Sequence, residues 1–258
     1  LYAMEAPEVS AESSVLICAE NSHIVFEKNA FVKRPMASTT KIMTALLTLE
    51  AASADDKDVT ITDKMVPVEG SSMCLKVGNV LPLSGLAKGM LTVSGNDAAN
   101  SAAIAVAGST ELFADMMNDK AAQIGMKDTH FVTPSGLDDD DHYSTAYDLY
   151  LIFKEVAKHN EFFNIAGRSS SRIEYLGSKG EQKIYDMAST NQYIAGTYTL
   201  PSQVYMIGGK TGTTTQAGSC LILLTKNKDG EEFISVVLKG VTKSALYHTM
   251  TDILSKEN

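Results

Sequence analysis

Basic charge, long apolar runs and paired cysteines are all scarce in this chain. Its 22 lysines and arginines are outnumbered by 31 aspartates and glutamates, giving a net charge of −9. A nucleic-acid partner would want a basic face, so no nucleic acid is expected. No run approaches the roughly 18 apolar residues that a membrane-spanning helix needs. Only three cysteines occur, Cys18, Cys74 and Cys220. None forms C-x-x-C or has histidine at zinc-finger spacing, and nothing calls for a disulfide. Cys18 and Cys220 lie in apolar, strand-like runs, and inert buried thiols are expected. Repeats and low-complexity linkers are missing too.

What is present is the composition of an ordinary folded protein, 44% hydrophobic and 21% charged. A length of 258 residues allows one large domain or two lobes that share an interface. The chain starts at Leu1, and residues 1–13 are polar and alanine-rich. That stretch reads as the remnant of a processed leader.

Ser14 to Glu20 and His23 to Glu27 are short apolar runs around Asn21-Ser22, the pattern of a β-hairpin. Thr39 to Ala54 is apolar on most sides, as a buried central helix would be. A small strand is expected at Asp58 to Thr62. Helical periodicity follows over Leu83 to Val93, Asp97 to Val106, Thr110 to Ile124 and Ser144 to Lys158. Gly125 is placed to end the third of these. Glu161 to Thr199 is mixed in character. Strands return at Val204 to Thr213, Ser219 to Lys226 and Glu232 to Lys239, with a turn at Lys228-Asp229-Gly230. Ser244 to Ser255 closes as a helix. These elements predict an α+β fold, with one antiparallel sheet built from both chain ends and helices inserted between. Residues 1–258 form a single catalytic domain in this reading. Residues 14–56 and 166–258 make its sheet-containing lobe, and residues 57–165 a mostly helical lobe.

Ser38 is the one serine with a lysine three residues later, Lys41. On a helix that spacing puts an amine beside a hydroxyl. A hydroxyl is a poor nucleophile until a base takes its proton, and a lysine in apolar surroundings can be that base. The pattern alone recurs by chance in about one chain of this size. Ser94-Gly95-Asn96 lies between two helical stretches, where serine and asparagine also serve as helix caps. A second such tripeptide, Ser189-Thr190-Asn191, shows how easily the motif arises. Lys210-Thr211-Gly212-Thr213 ends a strand. It reads either as a turn with an exposed lysine or as a sheet edge along which a carboxylate lies. In the second case lysine and hydroxyls supply the hydrogen bonds.

Together, S-x-x-K, S-x-N and K-T-G resemble the active-site set of penicillin-binding proteins and serine β-lactamases. Met36 to Ala45, Ser94 to Asn100, Pro134-Ser135-Gly136-Leu137, His142 to Leu149 and Gly209 to Gly212 narrow the likeness. They are similar to the low-molecular-mass D-alanyl-D-alanine carboxypeptidases, the peptidase S11 family, from about Val15 to Leu254. The resemblance implies a β-lactamase/transpeptidase-like fold. It also implies a serine DD-carboxypeptidase that removes terminal D-alanine from peptidoglycan stem peptides through a Ser38 acyl-enzyme. In that scheme Lys41 is the base, and Ser94 and Asn96 relay protons and hold the peptide. Lys210, Thr211, Gly212 and Thr213 bind substrate, and the N–H groups of Ser38 and Thr213 form an oxyanion hole. β-Lactams become covalent inhibitors, no cofactor is needed, and the site of action is extracytoplasmic.

This chain departs from the family in one respect. The arginine that often grips the substrate carboxylate is absent from Gly240-Val241-Thr242-Lys243-Ser244, where Lys243 is at best a partial stand-in. Asp138 to Asp141 has no calcium-loop pattern and reads as a solvated loop, so no metal is expected. His142 lacks a partner motif and reads as structural. The family's extra C-terminal domain and anchor are expected to lie outside this sequence, along with any membrane association. A β-lactamase is the nearest rival, but Glu161 has Ile165, not asparagine, four residues on. A catalytically idle cell-wall binder is the other, and an intact lysine beside Ser38 argues against it.

Overall fold

The computed structural model of the protein describes residues 11–257. The leader reading of residues 1–13 therefore falls mostly outside the described residues. Ala11 is already buried, however, and Ser13 opens the first strand.

The main sheet has five antiparallel strands in the order β2-β1-β9-β8-β7. The expected hairpin is β1 (Ser13–Cys18) with β2 (Ile24–Lys28), and β1 pairs along its length with β9 (Glu232–Gly240). β8 (Gly218–Lys226) then joins β9 to β7 (Tyr205–Thr214), which forms one edge. Both chain ends thus meet in one sheet, as the sequence predicts.

Alternation explains why the middles of β8 and β9 are apolar on both faces. Ile222, Leu224, Ile234, Val236 and Leu238 enter the larger core cluster with helices α1 (Lys41–Ala54) and α5 (Ala146–Val156), while Leu221, Leu223, Phe233 and Val237 meet α7 (Lys243–Leu254) on the opposite face. A sheet covered on both sides has no polar face to show. Burying each such side chain contributes about 1.5–3 kcal/mol.

α1 (Lys41–Ala54) is the central helix, buried from Lys41 to Thr48. It has no side-chain cap, so its stability comes from this packing rather than from its ends. α2 (Leu83–Thr92) and α3 (Asn96–Ala107) follow, separated by a three-residue turn. α4 (Thr110–Ile124) starts on Ser109, which accepts the Leu112 N–H, and stops at left-handed Gly125. α5 (Ala146–Val156) and α7 (Lys243–Leu254) are capped by Thr145 and Thr242.

A single sheet was expected, and here the structure differs. β3 (Asp58–Thr60), β4 (Val80–Pro82), β5 (Ser170–Leu176) and β6 (Gln182–Ala188) make a second, four-stranded antiparallel sheet. The mixed stretch after Glu161 resolves into α6 (Asn160–Ala166) and the β5–β6 hairpin. That hairpin lies beside β4, not beside the main sheet. No described helix is long and apolar enough to cross a membrane.

Candidate active site

Ser38 sits on a 3-10 turn, Ala37–Thr40, that runs directly into α1. The turn is tight. Ala37 is left-handed at φ 49°, an arrangement disfavoured for a residue with a Cβ. The loop holding Gly136 presses on it from outside. A Cβ on Gly136 would lie 2.0 Å from the Ala37 carbonyl oxygen, and Gly136 itself is at φ 85°. Backbone strain of this kind persists only where its surroundings over-determine it, and it clusters at functional sites.

Lys41, the first residue of α1, is completely buried. Its Nζ lies 2.9 Å from Ser38 Oγ, 2.6 Å from Asn96 Oδ1 and 2.6 Å from the Ser135 carbonyl oxygen. A neutral amine has two N–H groups and one lone pair. It can donate to the two carbonyl-type oxygens and accept the Ser38 proton. Burial, reinforced by the nearby Lys210 charge and opposed by Asp97, holds Lys41 well below the ordinary lysine range. The neutral, basic form is therefore favoured.

Ser94 and Lys210 make the other half of the site. Lys210 Nζ donates to Ser94 Oγ at 2.9 Å and to the Thr211 carbonyl at 2.7 Å. Burial lowers Lys210 to about 7. Ser94 is buried and left-handed at φ 61°, a second strained position in the same cleft. The next residue but one, Asn96, donates its Nδ2 to Glu69 O, which fixes Oδ1 toward Lys41. Asp97 then ties down the loop above. Its carboxylate accepts from the Met73 and Leu75 N–H groups and from Ser72 Oγ.

The edge strand β7 closes the site. A Cβ on Gly212 would stand 2.7 Å from Ser38 N and 3.0 Å from Thr39 N, so only glycine lets β7 run this close to the serine turn. Strand alternation puts Lys210 and Gly212 on the α1 side, whereas Thr211 and Thr213 share the other face. Thr211 is half-buried and Thr213 exposed.

Of the residues singled out from the sequence, Ser38, Lys41 and Asn96 are joined by hydrogen bonds, Lys210 bonds Ser94, and Gly212 lies against the Ser38 turn, with Thr211 and Thr213 flanking it on β7. Three contributors were given no role from the sequence: Glu69, and the Ser135 carbonyl and Asp97, which lie inside motifs that carried the likeness. Lys243 lies at the start of α7, behind the Thr242 cap. Asp138 is not merely solvated, since it anchors the β7–β8 turn through Thr214 Oγ1 and the Gln216 N–H. Cys18 and Cys220 are buried, as expected, while Cys74 is exposed. Glu161 lines a separate cleft of about 730 Å³ with Lys88, Arg168 and Arg172.

His142 is buried against Phe131, and its partners define its state. Nδ1 accepts the Val132 and Thr133 N–H groups, leaving Nε2 to donate to Thr40 Oγ1 at 2.7 Å. A protonated ring cannot accept at Nδ1, and burial lowers the imidazole to about 4. Since 4 lies below the ordinary 6.5, the unfolded chain binds the extra proton first. Stability is therefore present above pH 6.5 and is lost as pH falls toward 4, by on the order of 2–3 kcal/mol. Glu257, raised to about 7 by burial, works in the opposite sense between 4.5 and 7. The check is the urea midpoint of wild type and His142→Gln at pH 7 and pH 4.5. The acid loss should shrink in the variant, and an equal loss in both would refute it.

A family model described as D-alanyl-D-alanine carboxypeptidase, Peptidase S11, matches residues 2–242. The chain belongs to that family. The D-alanyl-D-alanine carboxypeptidase DacF of Bacillus subtilis (strain 168) is 33% identical over 250 residues, covering 95% of this chain and 61% of the relative. DacA of Escherichia coli (strain K12) is 31% identical over 248 residues, covering 92% and 58%. The chain thus spans about three fifths of the length of these relatives. The Streptomyces K15 DD-transpeptidase crystal structure superposes with a TM-score of 0.89 at 26% identity, covering 98% of this chain and 99% of that one. A D-alanyl-D-alanine carboxypeptidase from Mycobacterium tuberculosis H37Rv gives 0.85 at 25% identity, covering 98% and 92%. The expected α+β, β-lactamase/transpeptidase-like fold of this peptidase family is the one found, with the second sheet added.

Proposed function

We propose that the protein is a serine DD-carboxypeptidase that releases the terminal D-alanine of peptidoglycan stem peptides and acts outside the cytoplasmic membrane. One observation carries the reading: a buried, weakly basic Lys41 within 2.9 Å of Ser38 Oγ. Lys41 takes the Ser38 proton as Oγ attacks the penultimate D-alanine carbonyl. The N–H groups of Ser38 and Thr213 receive the oxyanion. Collapse breaks the peptide bond, and the proton passes through Lys41 and Ser94 to the departing D-alanine amine. Water, deprotonated by the same lysine, then hydrolyses the ester and regenerates Ser38. The Lys210 charge and the Thr211 and Thr213 hydroxyls hold the terminal carboxylate.

β-Lactams present the same carbonyl and carboxylate, so they acylate Ser38 too. Their leaving group stays tethered through the opened ring and obstructs water. Glu161, exposed in the separate cleft with Arg168, offers no water activator at Ser38. The expected result is multiple turnovers on diacyl-lysyl-D-alanyl-D-alanine, but a penicilloyl-enzyme lasting minutes, a barrier of roughly 20 kcal/mol. Gel and D-alanine-release assays check both. Penicillin turning over many times per second with no D-alanine released would make the protein a β-lactamase instead.

A further inference from the structure

The second Ser-x-Asn tripeptide, Ser189-Thr190-Asn191, takes no part in the Ser38, Lys41, Ser94 and Lys210 arrangement. The fold nevertheless delivers it to β7. Thr190 Oγ1 lies 2.6 Å from Thr211 Oγ1. The turn that carries it is held from several sides. The Thr190 N–H donates to Thr92 O at the end of α2, and the Gln192 N–H donates to Tyr247 Oη on α7. Within the turn, Ser189 Oγ accepts the Asn191 N–H and Asn191 Oδ1 accepts the Tyr193 N–H. The Thr190 hydroxyl therefore has a fixed place beside Thr211.

A hydroxyl has one proton to give. If Thr211 donates to Thr190, it has none left for an anion. If Thr190 donates to Thr211, the Thr211 proton is free to point at a carboxylate, and the two bonds polarise one another. An approaching carboxylate selects the second arrangement. Thr211 is meanwhile fixed from its backbone side, where its carbonyl accepts Lys210 Nζ. This chain has no arginine in Gly240 to Ser244, so the hydroxyl pair has more of the anion to hold.

We propose that Thr190 is a positioning residue of the carboxylate subsite, orienting the Thr211 hydroxyl toward the terminal carboxylate of the peptide. The inference rests on the DD-carboxypeptidase reading above. Thr190 acts through Thr211 and does not touch the reacting atoms.

The test is Thr190→Val, which keeps the shape and removes the hydroxyl. With diacyl-lysyl-D-alanyl-D-alanine, KM should rise about tenfold, the scale of one hydrogen bond to a charged group, with kcat within about twofold. Thr190→Ser should restore KM. With the same peptide ending in a carboxamide, Thr190→Val and wild type should behave alike. In a Thr211→Val background, Thr190→Val should add nothing further. If the valine variant does not fold, Thr190→Ala serves in its place. An unchanged KM in an active enzyme overturns the role of Thr190, as does an equal loss on acid and amide. A wild type that releases no D-alanine overturns the carboxypeptidase reading itself.

Discussion

Ser38→Ala is expected to abolish covalent labelling by a fluorescent penicillin while leaving the unfolding transition almost unchanged. The two halves of this outcome have separate causes. Chemically, the Ser38 hydroxyl is the one set 2.9 Å from Lys41 Nζ. Ser94 Oγ instead accepts from Lys210 Nζ, whose charged form a bound substrate carboxylate favours. Removing a nucleophile of this kind lowers acylation by on the order of 10⁴–10⁶. Structurally, the loss is small, about 1 kcal/mol. Lys41 keeps Asn96 Oδ1 and Ser135 O, so no buried donor is orphaned. Mass spectrometry of the wild-type penicilloyl adduct locates the modified residue. An adduct on Ser94, or labelling that survives in the alanine variant, sinks the assignment.

The legible parts of the sequence were those set by local geometry. The Ser38–Lys41 spacing is a property of one helical turn, and the bounds of α4 follow from Ser109 and Gly125. The middle of the main sheet was legible because β1, β8 and β9 are buried on both faces and carry near-continuous apolar runs. The second sheet was not. β5 and β6 alternate exposed and half-buried residues over most of their length, and β4 is three residues long. Such strands are specified by the partners they find. The same holds for the groups that complete the site. Ser135 contributes a backbone carbonyl, which any residue could supply, and Asp97 acts on a loop 22 to 25 residues away. Sequence reasoning grouped Lys210, Thr211 and Thr213 as one clamp. The neighbours of that group lie far off in sequence: Lys210 Nζ meets Ser94, and Thr211 Oγ1 meets Thr190.

Lys41→Arg puts a permanent charge at the centre of the site and is expected to destroy acylation, by a hundredfold or more. Arginine stays protonated at any working pH and has no lone pair to accept the Ser38 proton. Its longer, planar head must also fit where one ammonium-sized group now meets three oxygens at 2.6–2.9 Å. A charge-only role for Lys41 predicts the reverse, a variant that still acylates. The pH profile separates the two more sharply. Burial and the Lys210 charge both disfavour protonated Lys41, so its proton leaves well below the ordinary 10.5. Wild-type acylation should therefore rise with pH along an acid limb and level off before that value. The residual rate of Lys41→Arg should lack this limb, because the group that titrates has gone. Stopped-flow acylation with a chromogenic β-lactam from pH 5 to 10 measures both. If the variant acylated at near the wild-type rate, or kept the same limb, some other group would be taking the serine proton, and the pairing of Lys41 with Ser38 would be structural.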